Sequence, residues 1–212
     1  DYIWRKRKEF AGKKLPKTEE GVAVAREAVK AGKTPAVIAD HSDRTGGSTH
    51  ILEELIKQGA KNFCIATLRD EMAISKIVSE HKAGEMIAID VGGTSDEFAG
   101  KPVRIEGKVE SISKFGREAI VVLLFGENNR LILTPELMQV TSPAIFERLG
   151  IKLEGLEIIV LKSRVHFRRG FYDTGLAGAI IEVDAPGWGP ADLTALPYKN
   201  IPKNLYPVYR KD

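Results

Sequence analysis

The chain has 212 residues, of which 32 are Lys or Arg and 29 are Asp or Glu, for a formal net charge of +3. A 43% share of hydrophobic residues supports a packed core and excludes a disordered chain, and charge this balanced leaves no footprint for nucleic acid. One cysteine excludes a disulfide framework within the chain, and no run approaches the ~20 apolar residues of a membrane span. A cytoplasmic protein that binds neither nucleic acid nor membrane is the expectation.

Residues 1–17 are basic, carrying Arg5, Lys6, Arg7, Lys8, Lys13, Lys14 and Lys17. They read as a lead-in segment anchored by Trp4 and Phe10 rather than as a nucleic-acid arm. Residues 18–212 read as one α/β domain. Thr18 opens a helix with Val22, Ala25 and Val29 at helical spacing, and Gly32 ends it. The apolar run 35–39 predicts a buried strand, while Ile51, Leu52, Leu55 and Ile56 mark one face of a helix closed by Gly59. Between strand and helix lies a loop with Asp40, Asp43, Arg44, Gly46, Gly47, Ser48 and Thr49. The two glycines allow a sharp turn and close approach to a ligand, and Ser48 or Thr49 can cap the helix. The amides after Gly47 are then expected to stay free for an anionic group. Three charges in this loop exceed what a turn alone requires.

A second buried strand is predicted over residues 62–68, with Cys64 as an inert thiol inside it, and Asp70 caps a helix carrying Ile74, Ile77 and Val78. A third strand over residues 85–91 runs into Gly92-Gly93-Thr94. This alternation predicts a mostly parallel sheet flanked by helices. Val103, Ile105, Gly107 and Val109 then alternate with charged residues. An apolar run at 119–125 and a turn at 126–129 follow, and the pattern predicts an antiparallel meander inserted at about 101–139. Ser142-Pro143 opens a short helix ended by Gly150. A buried strand at 156–161 leads into Lys162-Ser163-Arg164-Val165-His166-Phe167-Arg168-Arg169, and the last strand covers 179–183. The tail, with Pro197, Pro202 and Pro207 among tyrosines, is expected to run extended over the surface.

Ligands of an open parallel sheet sit beyond the carboxyl ends of its strands. By that rule the Asp40 loop, Arg69, Asp70, Gly92 to Thr94, the 162–168 segment and Asp184 share one rim. Asp40 and Asp43 are expected to pair with basic groups of the 162–168 segment across a cleft. Asp40, Asp43, Arg44, Gly46, Gly47, Ser48 and Thr49 are the candidate substrate contacts of this rim. No residue is assigned to a metal, since HExxH and paired-cysteine spacings are missing. The GxGxxG, P-loop and GxSxG patterns are missing too.

Asp40 to Thr49 followed by Ile51-Leu52, Lys162-Ser163 with His166-Phe167-Arg168, and Asp184-Ala185-Pro186-Gly187 together look familiar. With Leu196-Pro197-Tyr198 and Leu205-Tyr206-Pro207, they resemble the C-terminal domain of the microcystinase-C-like (MlrC-like) metallopeptidase family. The family loop commonly carries a third glycine and a Gly-Asp before the threonine, and here it is shortened to Gly46-Gly47-Ser48-Thr49. The resemblance implies a two-domain zinc hydrolase in which the zinc ligands belong to an N-terminal metal-binding domain, with no cofactor in this chain. It also implies Lys162 and His166 as catalytic candidates and Arg168 as a further substrate contact, with positive charge placed to stabilise a tetrahedral intermediate. Alone, the chain is expected to be inactive, and surface left uncovered by a partner domain predicts a homo-oligomer. The alternative is a non-catalytic module that holds an anionic small molecule at the Gly46-Gly47 helix start.

Overall fold

The computed structural model describes residues 1–10, 14–116 and 118–209. Lys13 and the side chain of Phe10 lie outside the described residues. Two short helices, α1 (Tyr2–Arg5) and α2 (Arg7–Phe10), precede the 13-residue α3 (Thr18–Lys30). Next come β1 (Ala36–Asp40), α4 (His50–Lys57), β2 (Phe63–Arg69), α5 (Glu71–Glu80) and β3 (Met86–Val91). The strands β4 (Val103–Phe115), β5 (Glu118–Phe125) and β6 (Asn129–Thr134) are consecutive. The chain closes with α6 (Ala144–Arg148), β7 (Ile158–Leu161), α7 (Arg168–Phe171), β8 (Ala179–Val183) and a 3-10 turn, Leu193–Ala195.

All eight strands join one sheet in the order β3-β4-β5-β6-β2-β7-β1-β8. The ladders from β6 through β2, β7 and β1 to β8 are parallel, and those from β3 to β6 are antiparallel. The expected α/β sheet flanked by helices is present, with two differences. Residues 86–91 form an antiparallel edge strand, not a third parallel one. Their burial alternates, with Ile87, Ile89 and Val91 inside and Met86, Ala88 and Asp90 outside. A parallel strand is covered on both faces and rarely tolerates such a wet side. The segment around 101–139 extends the sheet, because β6 pairs directly with β2.

The sheet separates two apolar layers. Ala36 and Ile38 of β1 point to the layer holding Val22, Ile51, Leu55 and Ile77 of the helices. Val37 and Ala39 point to the opposite layer, with Phe146, Phe167 and Phe171. Each fully buried Val, Ile, Leu or Phe among these stabilises the fold by about 1.5–3 kcal/mol. The register of β4 against β5 shifts between Val109 and Ser111, as at a β-bulge. The β3–β4 edge shares the helix-side layer, through Ile87, Ile89, Val91 and Ile105. The exit of β3 thereby reaches the loop after β1, where the Gly93 amide donates to the Gly47 carbonyl at 2.9 Å.

Asp70 caps α5 by accepting from the Ala73 amide, and its second carboxylate oxygen accepts from Gly92 at 2.7 Å. Burial pushes the Cys64 thiol up to about 12, in keeping with an inert core residue. The tail turns instead of running continuously extended, and Tyr206 meets Trp4 edge-on at 6.1 Å, with Arg7 stacked over Trp4. Among the described residues no helix is long and apolar enough to cross a membrane.

Helix α3 lies against β8 at Gly21, where an added Cβ would stand 2.3 Å from Val183 Cγ2. Gly21→Val is therefore expected to destabilise the fold by about 1–3 kcal/mol through overpacking. Val24→Ala, on the exposed side of the same helix, should stay within about 0.5 kcal/mol. Urea unfolding of the two variants checks the contrast.

Candidate functional site

Because β1 and β7 are neighbours in register, with Ala39 opposite Leu161, the residues after both strands meet. Asp40, in phase with Ala36 and Ile38, is fully buried, and its Oδ1 accepts from the amides of Ser42 (3.3 Å) and Asp43 (3.2 Å). That bends the chain so that Asp43 also turns inward. Asp43 Oδ1 then accepts from the Gly46 amide (2.8 Å) and Oδ2 from the Ser48 amide (3.1 Å), with Gly46 at φ +81°. Into this carboxylate pair reaches Lys162. Its ammonium lies 3.1 Å from Asp40 Oδ2, 2.9 Å from Asp43 Oδ2 and 2.8 Å from the Ser48 carbonyl. All three N–H donors of the ammonium are thus engaged.

Three further segments close around the loop. Ser42 Oγ donates to Asp184 Oδ1 at 2.6 Å, and Asp184 also accepts from Lys17 and from the Ala191 amide. Arg164 donates to the carbonyls of His41 (3.0 Å) and Gly189 (2.6 Å), tying the Asp40 loop to the 184–192 segment. From the β3–β4 side, Asp96 accepts from Thr45 Oγ1 at 2.6 Å, and Thr49 Oγ1 donates to the Lys101 carbonyl at 2.7 Å. Phe98 and Trp188 pack edge to face across the gap with ring centroids 5.0 Å apart. The result is one rim of four loop segments at the carboxyl end of β1.

A family model described as the MlrC C-terminus matches residues 38–200, more than half of the chain. The chain belongs to this family. It is 23% identical over 172 residues to Microcystinase C of Sphingomonas sp., a match covering 74% of this chain and 34% of that protein. A solved structure from Mesorhizobium sp. BNC1, described as a proposed metallopeptidase, superposes with a TM-score of 0.77 at 20% identity. That match spans 97% of this chain and 43% of the other. The chain thus spans about a third of the length of the curated relative it matches.

In this MlrC-family chain the expected pairing of Asp40 and Asp43 with the 162–168 segment is made by Lys162 alone. Arg164 braces the same loop through the His41 carbonyl, and the segment beyond it goes elsewhere. Val160, two residues before Lys162, belongs to the helix-side layer, whereas Phe167 anchors the opposite one. The chain crosses the end of the sheet between them. His166 is exposed, with Nδ1 3.1 Å from Gln139 Oε1, and Arg168 pairs with Glu182 of β8. Neither contacts the Asp40 loop.

The loop amides also depart from expectation. Those of Gly46 and Ser48 serve Asp43, and that of Thr49 donates to the Ala99 carbonyl. Neither Ser48 nor Thr49 caps α4 through its side chain. An anion site on these amides is therefore not formed. Arg44 is exposed, and its stem lies along Gly189. Arg164 and Lys17 were passed over in the sequence as site residues. Lys17 is 167 positions from the carboxylate it meets, a pairing with no local signature.

Among the described residues, no three His, Cys, Asp or Glu side chains gather as a metal set. The buried rim carboxylates already serve Lys162, Lys17, Ser42 and backbone amides, a donor set consumed by the protein itself. Zinc does not fit these residues.

Burial opposes ionisation of Asp43, but the Lys162 charge and hydrogen bond, with the Gly46 and Ser48 amides, outweigh it and bring its pKa to about 2. Burial likewise opposes the charge on Lys162, and Asp40 and Asp43 more than offset it, raising that pKa. A depressed carboxylate stabilises the fold above its unfolded value of 3.8 and loses that contribution as pH falls through about 2. The raised lysine contributes below 10.5, and its share is lost as pH rises through its folded value. Between these limits the cluster is fully formed. Lys162→Met strands two buried carboxylates and is expected to destabilise by about 3–5 kcal/mol. Glu106→Gln, on the exposed face of β4, should change stability by less than about 0.5 kcal/mol. In urea titrations from pH 5 down to 2, Asp43→Asn should remove part of the acid-induced loss seen in the parent chain.

Proposed function

We propose that this chain is the C-terminal part of a metal-dependent amide or peptide hydrolase and completes its substrate cleft. The zinc ligands, on this reading, come from an N-terminal metal-binding domain. The observation that carries it is the braced rim in a chain of the MlrC C-terminal family. Four loop segments converge where ligands of α/β sheets bind, and the carboxylates there are spent on holding the loops. Membership in a family represented by Microcystinase C supports the reaction class.

Roles follow from the geometry. Lys162 has no donor left for substrate, so it acts as a positioning residue that fixes Asp40, Asp43 and the Gly46-to-Thr49 backbone. Arg44 is an exposed rim cation with no carboxylate partner among the described residues, and it is the side chain offered to substrate. His166 and Arg168, on the other side of the sheet end, have no part in the rim chemistry.

On this reading the chain alone, washed with chelator, holds no stoichiometric zinc and hydrolyses no peptide. The parent polypeptide with its metal-bearing part holds zinc and hydrolyses peptide. Elemental analysis and a peptide-hydrolysis assay on the two forms check this. One tightly held zinc per isolated chain overturns it. The same reading includes a cytoplasmic location and self-association of the chain through surface its partner domain would cover. Sedimentation across a wide concentration range should show a dimer or larger form, and a monomer throughout removes that part.

A further inference from the structure

The face of the sheet opposite the Lys162 cluster carries a separate cleft of about 520 Å³, within the range of about 300–1,000 Å³ usual for small-ligand pockets. Its walls are the 141–143 segment and α7 with the turn after it. The two approach closely because residue 170 is glycine, where an added Cβ would stand 2.3 Å from the Thr141 carbonyl oxygen. Pro143 and Leu176 supply an apolar surface, and Leu176 packs on the layer containing Phe167 and Phe171.

The polar groups of this cleft are mostly basic or neutral. Arg169 lines it, and among the described residues no carboxylate pairs with that guanidinium. Its neighbour Arg168 is neutralised by Glu182. His166 lines it too, and its Nδ1–H donates to the Gln139 side-chain oxygen, which orients the ring and makes Nε2 an acceptor in the neutral imidazole, not a donor for an anion. Ser142 adds a hydroxyl with no partner among the described residues, while the Thr174 hydroxyl is used by the Gly170 carbonyl. Among the described residues no acidic side chain lines the cavity. A concave apolar surface with a free guanidinium at its edge matches one ligand chemistry: an oxyanion joined to a small apolar body.

We propose that this cleft is a binding site, distinct from the rim, for a small organic anion, its carboxylate or phosphate held by Arg169 with the Ser142 hydroxyl alongside and its apolar body against Pro143 and Leu176. Its lining includes the two residues, His166 and Ser142, that the rim leaves unused.

The test uses the full chain and four probes: benzoate, phenyl phosphate, neutral benzamide and inorganic phosphate. Calorimetry should show saturable 1:1 binding of benzoate or phenyl phosphate. Whichever binds more tightly identifies the anionic group. Benzamide should fail for want of charge, and inorganic phosphate should bind more weakly for want of the apolar body. Arg169→Gln should weaken binding about tenfold, the effect of one lost charge-assisted contact, and Arg169→Lys should restore part of it. Arg169 is exposed, so the variants are expected to keep the parent's melting temperature. Equal binding of benzamide, indifference to Arg169→Gln, or no binding of either organic anion overturns the proposal. Loss of binding in Arg44→Gln instead of Arg169→Gln would assign the anion to the rim and overturn it equally. None of these readouts requires zinc or hydrolysis, so the site stands or falls independently of the hydrolase reading.

Discussion

Two carboxylates and one ammonium are buried together at the carboxyl end of β1. Asp40 and Asp43 are almost wholly removed from solvent, and Lys162 reaches both from the end of the adjacent strand β7. Taking such charges out of water is costly unless each is paired and its remaining hydrogen-bonding capacity filled. Here the amides of Ser42, Asp43, Thr45, Gly46 and Ser48 complete the carboxylate shells, and the Ser48 carbonyl takes the last lysine donor. The conformation of the whole 40–49 loop is the geometry that satisfies those atoms. Moving the loop would strand a charge, so this part of the edge is rigid and Arg44 projects from a fixed base.

The outer segments depend on that base in turn. Thr45, held by Asp43, meets Asp96, and Gly47 receives the amide of Gly93. Ser42 and His41 receive the 184–192 segment through Asp184 and Arg164. Gly187 and Gly189 face this contact where a Cβ would strike the Ser42 carbonyl or the Arg164 guanidinium. At Gly187 the clash is with backbone, so that position admits only glycine. The Thr45–Asp96 and Gly93–Gly47 hydrogen bonds bring the loops of the antiparallel edge to the same rim as the parallel strands, which the sheet order alone would not suggest.

The sheet also divides the chemistry of the chain. On the side of α3, α4 and α5, the buried charges among the described residues are compensated. On the other side, Phe146, Phe167 and Phe171 build an apolar layer whose margin carries His166, Arg168 and Arg169. The stretch from Lys162 to Arg169, continuous in sequence, serves both sides because the chain turns over the end of β7 within a few residues.

Much of this was legible in the residues themselves. Apolar runs at 35–39 and 156–161 marked buried strands, and the helical spacing of Ile51, Leu52, Leu55 and Ile56 marked α4, since burial on both faces or on one stripe leaves a local pattern. The clustering of Asp40, Asp43 and Lys162 after strands was also readable, because parallel neighbours present their carboxyl ends on one edge. Other features were decided only in three dimensions. The pairing of Lys17 with Asp184, the direction of β3 and the split of the 162–169 stretch between two faces all depend on strand order and chain crossing. So does the use of the Gly46 and Ser48 amides by Asp43, which removed the anion site that the glycine pair suggested. Local sequence determined which segments are buried and which residues are charged at their ends. Which charge meets which was decided by the tertiary structure, because a buried ion pair depends on distance and desolvation, and neither is written in sequence spacing.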